Sequence, residues 1–177
     1  MVIASAFATA RFAVRPARLE DAAAIAEVQV ASWRSSYRGI LPDAILDSLN
    51  AQLRVHARQG MLRDPDAYNL VAYDTTHGDV VGYANASVSR RGGARVGELF
   101  EIYLVDRAKR YGLGRELFES VMDWSRAKQH ARLDVWVLEG NQHARRFYAA
   151  MGGVVSAQTH SRVRGFGVIE LAYSFKL

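Results

Sequence analysis

Lys109, Arg110, Tyr111, Gly112, Leu113, Gly114 and Arg115 form the stretch of this 177-residue chain best suited to hold a polyanion. Two glycines one residue apart sit among basic residues, directly after an apolar strand pattern and at the start of an amphipathic helix pattern. Glycine lets backbone approach a ligand without a Cβ in the way, and the first turn of a helix carries unpaired N–H donors. Those donors and the helix dipole favour a bound anion, while Lys109, Arg110 and Arg115 offer charge-assisted hydrogen bonds to phosphate oxygens. A tight turn with a solvated basic rim is the plainer reading of the same residues. Spacing excludes two nucleotide motifs. A dinucleotide fingerprint needs a third glycine at position 117, which is Leu, and a Walker loop needs Gly-Lys-Ser/Thr where this chain has Gly114-Arg115-Glu116.

Two carboxylates, Glu98 and Glu101, lie in the preceding strand pattern. Their odd separation puts them on opposite faces of a regular strand, so only one sees a cleft. A charge in a central strand must be hydrated or paired. Glu98 directly follows Gly97 and reads as an exposed strand start, which leaves Glu101 as the better candidate to face a cleft; a salt bridge to a nearby Arg is the alternative for either. Asn141 reads as a helix N-cap. Tyr148 shares a helical stripe with Ala144, Phe147 and Met151, and spacing alone makes it a core tyrosine. Trp33 and Tyr37 lie one turn apart beside Arg38-Gly39 and can line a pocket, although from sequence alone core packing suits Trp33 better. His56, His77, His130, His143 and His160 show no metal-ligand spacing and read as surface residues, with His160 near Arg162 and Arg164 a pocket-rim exception.

The elements that must position these residues follow from periodicity. Arg11 to Arg15 alternates as a half-exposed strand, and Asp21 begins an Ala-rich helix with Ala22, Ile25, Val28 and Ser32 on one face. Pro42 suits the first turn of a short helix, and residues 51–62 read as another. Strands are predicted over 69–73, 80–89, 98–105, 133–138, 154–159 and 168–175. Between them, the helix after the glycine turn buries Leu113, Leu117, Phe118, Val121 and Trp124, and Gly152-Gly153 stops the helix that Asn141 starts. This is an α/β pattern with helices on both faces of a mixed sheet.

Half of the residues are hydrophobic and there are three prolines, so residues 11–177 suit a single domain, with 1–10 a frayed leader. Zero cysteines exclude disulfides, thiolate metal sites and a cysteine nucleophile. The net charge of +5 is spread along the chain with no run of five like charges, so the 107–115 cluster is the local exception on a mildly basic surface. No aromatic-basic platform points to nucleic acid, and the apolar start is too short for a membrane span and lacks a basic n-region. A cytoplasmic protein is expected.

In combination the motifs resemble the GCN5-related N-acetyltransferases. Lys109 to Gly114 is similar to that family's Q/R-x-x-G-x-G/A acyl-CoA motif, with Lys109 keeping a donor but losing the planar geometry of Gln or Arg. Asn141-x-x-Ala144-x-x-Phe147-Tyr148 with Met151-Gly152 resembles N-x-x-A-x-x-F-Y-x-x-x-G, and Glu98 to Val105 resembles the strand before the acyl-CoA motif. Ser32-Trp33-Arg34 and Tyr37 to Pro42 resemble the first helices of one bacterial branch, so the likeness covers most of the chain. It implies a mixed, mostly antiparallel seven-stranded sheet with helices on both faces and a V between the fourth and fifth strands. It also implies acetyl-CoA as acyl donor, no metal, and direct transfer to a small-molecule or terminal amine; a homodimer is common in the family.

The same resemblance suggests roles. A backbone N–H at Leu104 or Val105 serves the oxyanion. Residues 109–115, Asn141, Ala144 and Tyr148 contact the acyl-CoA, Tyr148 is the general acid, and Glu101 or Glu98 takes the amine proton through water. Trp33 and Tyr37 line the acceptor pocket, and specificity comes from the 33–45 region and the 90–97 and 160–167 loops. A non-catalytic acyl-CoA-binding or partner-binding domain is the alternative.

Overall fold

Residues 11–177 are described by the computed structural model; residues 1–10, read above as a frayed leader, lie outside the described residues. Among the described residues seven strands form one sheet: β1 (Phe12–Pro16), β2 (Tyr68–Asp74), β3 (Val80–Val88), β4 (Val96–Leu104), β5 (Arg132–Leu138), β6 (Val154–Val163) and β7 (Phe166–Lys176). Their spatial order is β1-β2-β3-β4-β5-β7-β6. Every neighbouring pair is antiparallel except β4 with β5.

Among the described residues five α-helices cover the sheet: α1 (Ala22–Ser36), α2 (Asp43–Asp47), α3 (Val55–Arg63), α4 (Leu113–Ala127) and α5 (Gln142–Ala150). The expected helix over 51–62 is a 3₁₀ turn, Gln52–Arg54, followed by α3. Leu113, Leu117, Phe118 and Val121 of α4 are each no more than 2% exposed and join α5's Tyr148 and the sheet in one core. Burial of such side chains stabilises the fold by about 1.5–3 kcal/mol each, so Phe118→Ala would cost about 3–5 kcal/mol. Trp124 stacks on Tyr68 of β2 at 5.5 Å and fixes the far end of α4. On the opposite face, Ile25 and Val28 of α1 pack on Val71 and Tyr83.

Two irregularities shape the centre. The β3–β4 register passes from Asn85↔Glu101 to Ala86↔Leu99, so Phe100 is an extra residue, a bulge in β4. Further along, β4 pairs with β5 only from Val96↔Arg132 to Leu99↔Val135; beyond that point the strands part. The expected V between the fourth and fifth strands is this divergence.

The last strands are longer than their sequence pattern indicated. The stretch 160–167, read as a loop, is a hairpin whose register runs to Val163↔Phe166. Arg164 and Gly165 form its two-residue turn with φ of +49° and +85°, the left-handed pair that such tight hairpins require. The strand signal is weak there because no β6 side chain is fully buried.

Candidate active site

The parted strands enclose a cleft of about 490 Å³. Its walls include Ile102, Tyr103 and Leu104 of β4, Val135 to Val137 of β5, and Tyr37, Lys109, Gly112, Gly114, Asn141, Ala144, Phe147 and Tyr148. Backbone pairing decides what β4 offers there. Val105 donates its N–H to Val81 at 2.9 Å, so that position is a hydrogen-bonded pair with β3. Antiparallel pairing alternates, and the N–H groups of Leu104 and Ile102 therefore turn away from β3 toward the side that β5 has left open. Of the two oxyanion donors expected from sequence, Leu104 faces the cleft and Val105 is occupied by β3.

The start of α4 supplies the second set of donors. Gly112 is its N-cap, with φ +84° and no side-chain capping hydrogen bond, so the first-turn N–H groups of Leu113, Gly114 and Arg115 have no capping acceptor. A Cβ built on Gly114 would lie 3.7 Å from Leu104 Cδ1 and from Phe147. That is ordinary contact, so the protein itself does not demand glycine at 114. The neighbouring side chains differ in position. Lys109 lines the cleft and pairs with Asp106 at 2.6 Å, and Arg110, with φ +67°, also lines it. Arg115 lies on the rim beside Glu119 at 3.5 Å. Tyr111 instead packs edge-on against Phe12 at 5.0 Å, and the Leu113 side chain is buried in the core.

Asn141 caps α5, its Oδ1 accepting from the Ala144 N–H at 3.1 Å. Tyr148 is 4% exposed, borders the cleft, and packs against Phe118, Phe147 and Tyr173. Burial, with a smaller contribution from Tyr37, pushes its phenol far above the ordinary tyrosine range, so it stays protonated.

The glutamates depart from expectation. The Phe100 bulge restores Glu98 and Glu101 to one face: their partners across the strand, Ser87 and Asn85, are two residues apart. Glu98 is not an exposed strand start. It is 6% exposed and accepts from Ser89 Oγ at 2.8 Å and from the Arg90 N–H at 3.3 Å. Glu101 reaches the cleft, yet both its oxygens are taken. Oε1 accepts from Arg58 Nη2 at 2.9 Å and Gln29 Nε2 at 3.0 Å; Oε2 accepts from Tyr83 Oη at 3.0 Å and from Arg58 Nη1. The salt bridge weighed for this residue is therefore present. Arg58, Gln29 and Tyr83 were missed in sequence, because α3 has a weak stripe and the bulge leaves no mark in residue alternation.

Tyr37 lines the cleft and shares a hydrogen bond with Tyr103 at 2.9 Å between hydroxyls. Trp33 stands behind it, edge-on at 5.2 Å, rather than in the cleft wall. His160 and Arg162 border a separate groove of about 640 Å³ with Ile40 and Phe166. His130 is not a surface residue: it is 7% exposed, with Nδ1 2.9 Å from Ser125 Oγ. The pair packs where Gly97 passes so closely that a Cβ there would fall 2.5 Å from Ser125 Oγ. Among the described residues no cluster of three or more metal-ligating side chains occurs, and no helix is long and apolar enough to cross a membrane.

The sequence matches the acetyltransferase (GNAT) family over residues 27–152. It is 31% identical over 129 residues to YuaI of Bacillus subtilis (strain 168), an uncharacterized N-acetyltransferase, covering 72% of each chain. The fold is similar to that of a GCN5-related N-acetyltransferase from Rhodopseudomonas palustris, with TM-score 0.74 at 20% identity over 95% of this chain and 97% of that one. It is also similar to the PaiA N-acetyltransferase from Thermoplasma acidophilum, solved in complex with coenzyme A, with TM-score 0.72 at 19% identity over 94% and 99% of the two chains. The two solved structures share the fold, and the sequence match gives the conclusion: the chain belongs to the acetyltransferase (GNAT) family.

Proposed function

We propose that the protein is an acetyl-CoA-dependent N-acetyltransferase of the cytoplasm that passes an acetyl group directly to a small-molecule or terminal amine. The observation that carries this reading is the alignment of free main-chain donors: Leu104 and Ile102 face the open side of β4, beside the uncapped start of α4. The residues fit an acyl-CoA. First-turn N–H groups of α4 with Lys109 and Arg110 bind its pyrophosphate, and the thioester supplies an activated acetyl carbon.

The chain's own groups then divide the work. The Leu104 N–H donates to the oxygen on which negative charge develops. Tyr148 donates to the departing sulfur, its proton held by burial until needed. Asn141 holds the first turn of α5, and so the direction in which Tyr148 points. Glu101 has both oxygens engaged and Glu98 does not line the cleft, so the amine proton leaves through water in the open cleft. Glu101 keeps Arg58 paired and Tyr83 oriented.

Free-thiol release from acetyl-CoA across a broad amine panel tests the proposal. Acceptor-dependent release is expected. Tight CoA binding without release on any acceptor would favour a non-catalytic acyl-CoA-binding domain.

A further inference from the structure

The cleft is longer than an acetyl group needs, and its far end is bordered by aromatic residues. The α4 cradle lies beside Leu104, where a Cβ on Gly114 would come within 3.7 Å of Leu104 Cδ1. From Leu104 the open side of β4 runs back to Phe100, roughly 10–13 Å at the usual strand rise. An acetyl group at the Leu104 N–H fills only the start of that length. β4 and β5 are paired as far as Leu99↔Val135, so Phe100 and Trp136 are the first residues past the point of parting. Both border the cleft, as do Tyr37 and Tyr103.

One turn holds this end in place. Residues 89–95 join β3 to β4 and lay two guanidinium groups on the rings, Arg90 4.3 Å from the Phe100 centroid and Arg91 4.4 Å from that of Trp136. Arg91 also crosses to β7, its Nη2 donating to Glu170 Oε2 at 3.1 Å. Ser89 fixes the turn: its Oγ accepts from the N–H groups of Arg91 at 3.2 Å and Gly92 at 2.9 Å, and donates to buried Glu98. Glu98, which does not line the cleft, thus acts on it through this turn. A guanidinium covers one face of a ring, and both residues still border the cleft. Rings fixed in this way lose little freedom when a ligand packs on them.

The charges of the cleft narrow the choice further. Lys109, Arg110 and Arg115 line it, whereas Glu101 is the one carboxylate among the described lining residues, and both its oxygens are engaged. A second ammonium group on the acceptor would therefore be desolvated without an acid to receive it.

We infer that the acceptor is a monoamine with an aromatic body, whose ring packs on Phe100 and Trp136 while its amine faces the acetyl group near Leu104. The inference rests on the acetyltransferase reading above and names the class of its second substrate.

The test sets phenethylamine against butylamine and diaminobutane, following thiol release from acetyl-CoA. Phenethylamine is expected to exceed butylamine in kcat/KM by roughly 10-fold, from ring contacts and the larger apolar area buried. Diaminobutane should fall below butylamine by a similar factor. Phe100→Ala and Trp136→Ala should each erode the phenethylamine-to-butylamine ratio with acetyl-CoA KM unchanged, and the milder Phe100→Leu and Trp136→Phe should keep part of it. A ratio near one in the wild type, a preference for diaminobutane, or a ratio unchanged in folded variants would overturn the inference while leaving the acetyltransferase reading intact. So would turnover of other amines only. Faster release from octanoyl-CoA than from acetyl-CoA, lost in Phe100→Ala, would overturn it by giving this end to the donor's acyl chain. If no acceptor turns over, the acetyltransferase reading fails, and calorimetry of phenethylamine and butylamine on the CoA-loaded protein still decides the ring site: tighter phenethylamine binding supports it, and equal binding overturns it.

Discussion

The two faces of β4 solve different recognition problems with different materials. Toward α4 and the gap that β5 leaves, the site is made of backbone: N–H groups of Leu104 and of the first turn of α4, opened by a strand divergence and a left-handed Gly112. Toward α1 and α3, it is made of long side chains held to one another, Glu101 with Arg58, Gln29 and Tyr83, and Tyr37 with Tyr103. A backbone site tolerates side-chain change except where a Cβ or charge enters it. A side-chain network instead depends on each member, because removing one leaves another buried and unpaired. The first arrangement suits a ligand part common to a whole family, and the second suits a partner that differs from member to member.

The largest expected effect attacks the backbone face. Gly114→Glu puts a negative side chain where the α4 donors converge and should lower CoA affinity by roughly 10³-fold, about 4 kcal/mol. Gly114→Ala should fold and unfold as the wild type does, since its Cβ makes only ordinary contacts. Calorimetric CoA titration alongside thermal melts checks both. Wild-type CoA affinity in a folded Gly114→Glu protein would remove the cradle from the site.

On the other face, Glu101→Gln should act first on stability. It strips the charge that pairs with buried Arg58 and should destabilise the fold by about 3 kcal/mol in urea titration. Activity per folded molecule should show the same pH profile shape as the wild type. Recovery of Glu101→Gln activity at high pH would instead make this carboxylate the proton acceptor.

Tyr148→Phe keeps the packing and removes the donor, so kcat should fall by about 10²-fold with little change in acetyl-CoA KM. Unchanged kcat would return Tyr148 to a packing role.

The smallest effect comes from His130. Burial first, and the charge of Lys128 second, hold its pKa below the usual value. The unfolded chain takes up a proton near pH 6.5 while the native state resists, so stability should decline as pH drops through 6.5 and level off below the native pKa. His130→Gln should flatten that decline in urea midpoints measured from pH 7.5 to 5.5.

The contrast between the faces also explains what could be read from sequence. Short motifs encode backbone sites: Gly112-x-Gly114 after an apolar strand, and Asn141 ahead of a helical stripe, mark helix starts whose donors follow from geometry. The core stripe of α4 was legible for the same reason, since 3.6-residue periodicity survives in the string. Long-range side-chain pairing leaves no such trace. Arg58 and Glu101 are 43 residues apart, and the bulge at Phe100 that puts Glu98 on the same face as Glu101 has no signature in alternation. His130 was misread because its burial comes from Gly97 on β4 and Ser125 on α4.

Amide hydrogen exchange followed by NMR, with and without CoA, tests most directly whether the donor lies against these main-chain groups. In the free protein the Val105 amide should already be protected by Val81, while Leu104 and residues 112–114 exchange readily. CoA should slow exchange at Leu104 and at 112–115 and leave Val105 nearly as it was. Protection that appears instead along α1 and α3, with Leu104 and the α4 start unchanged, would contradict the placement of the donor site.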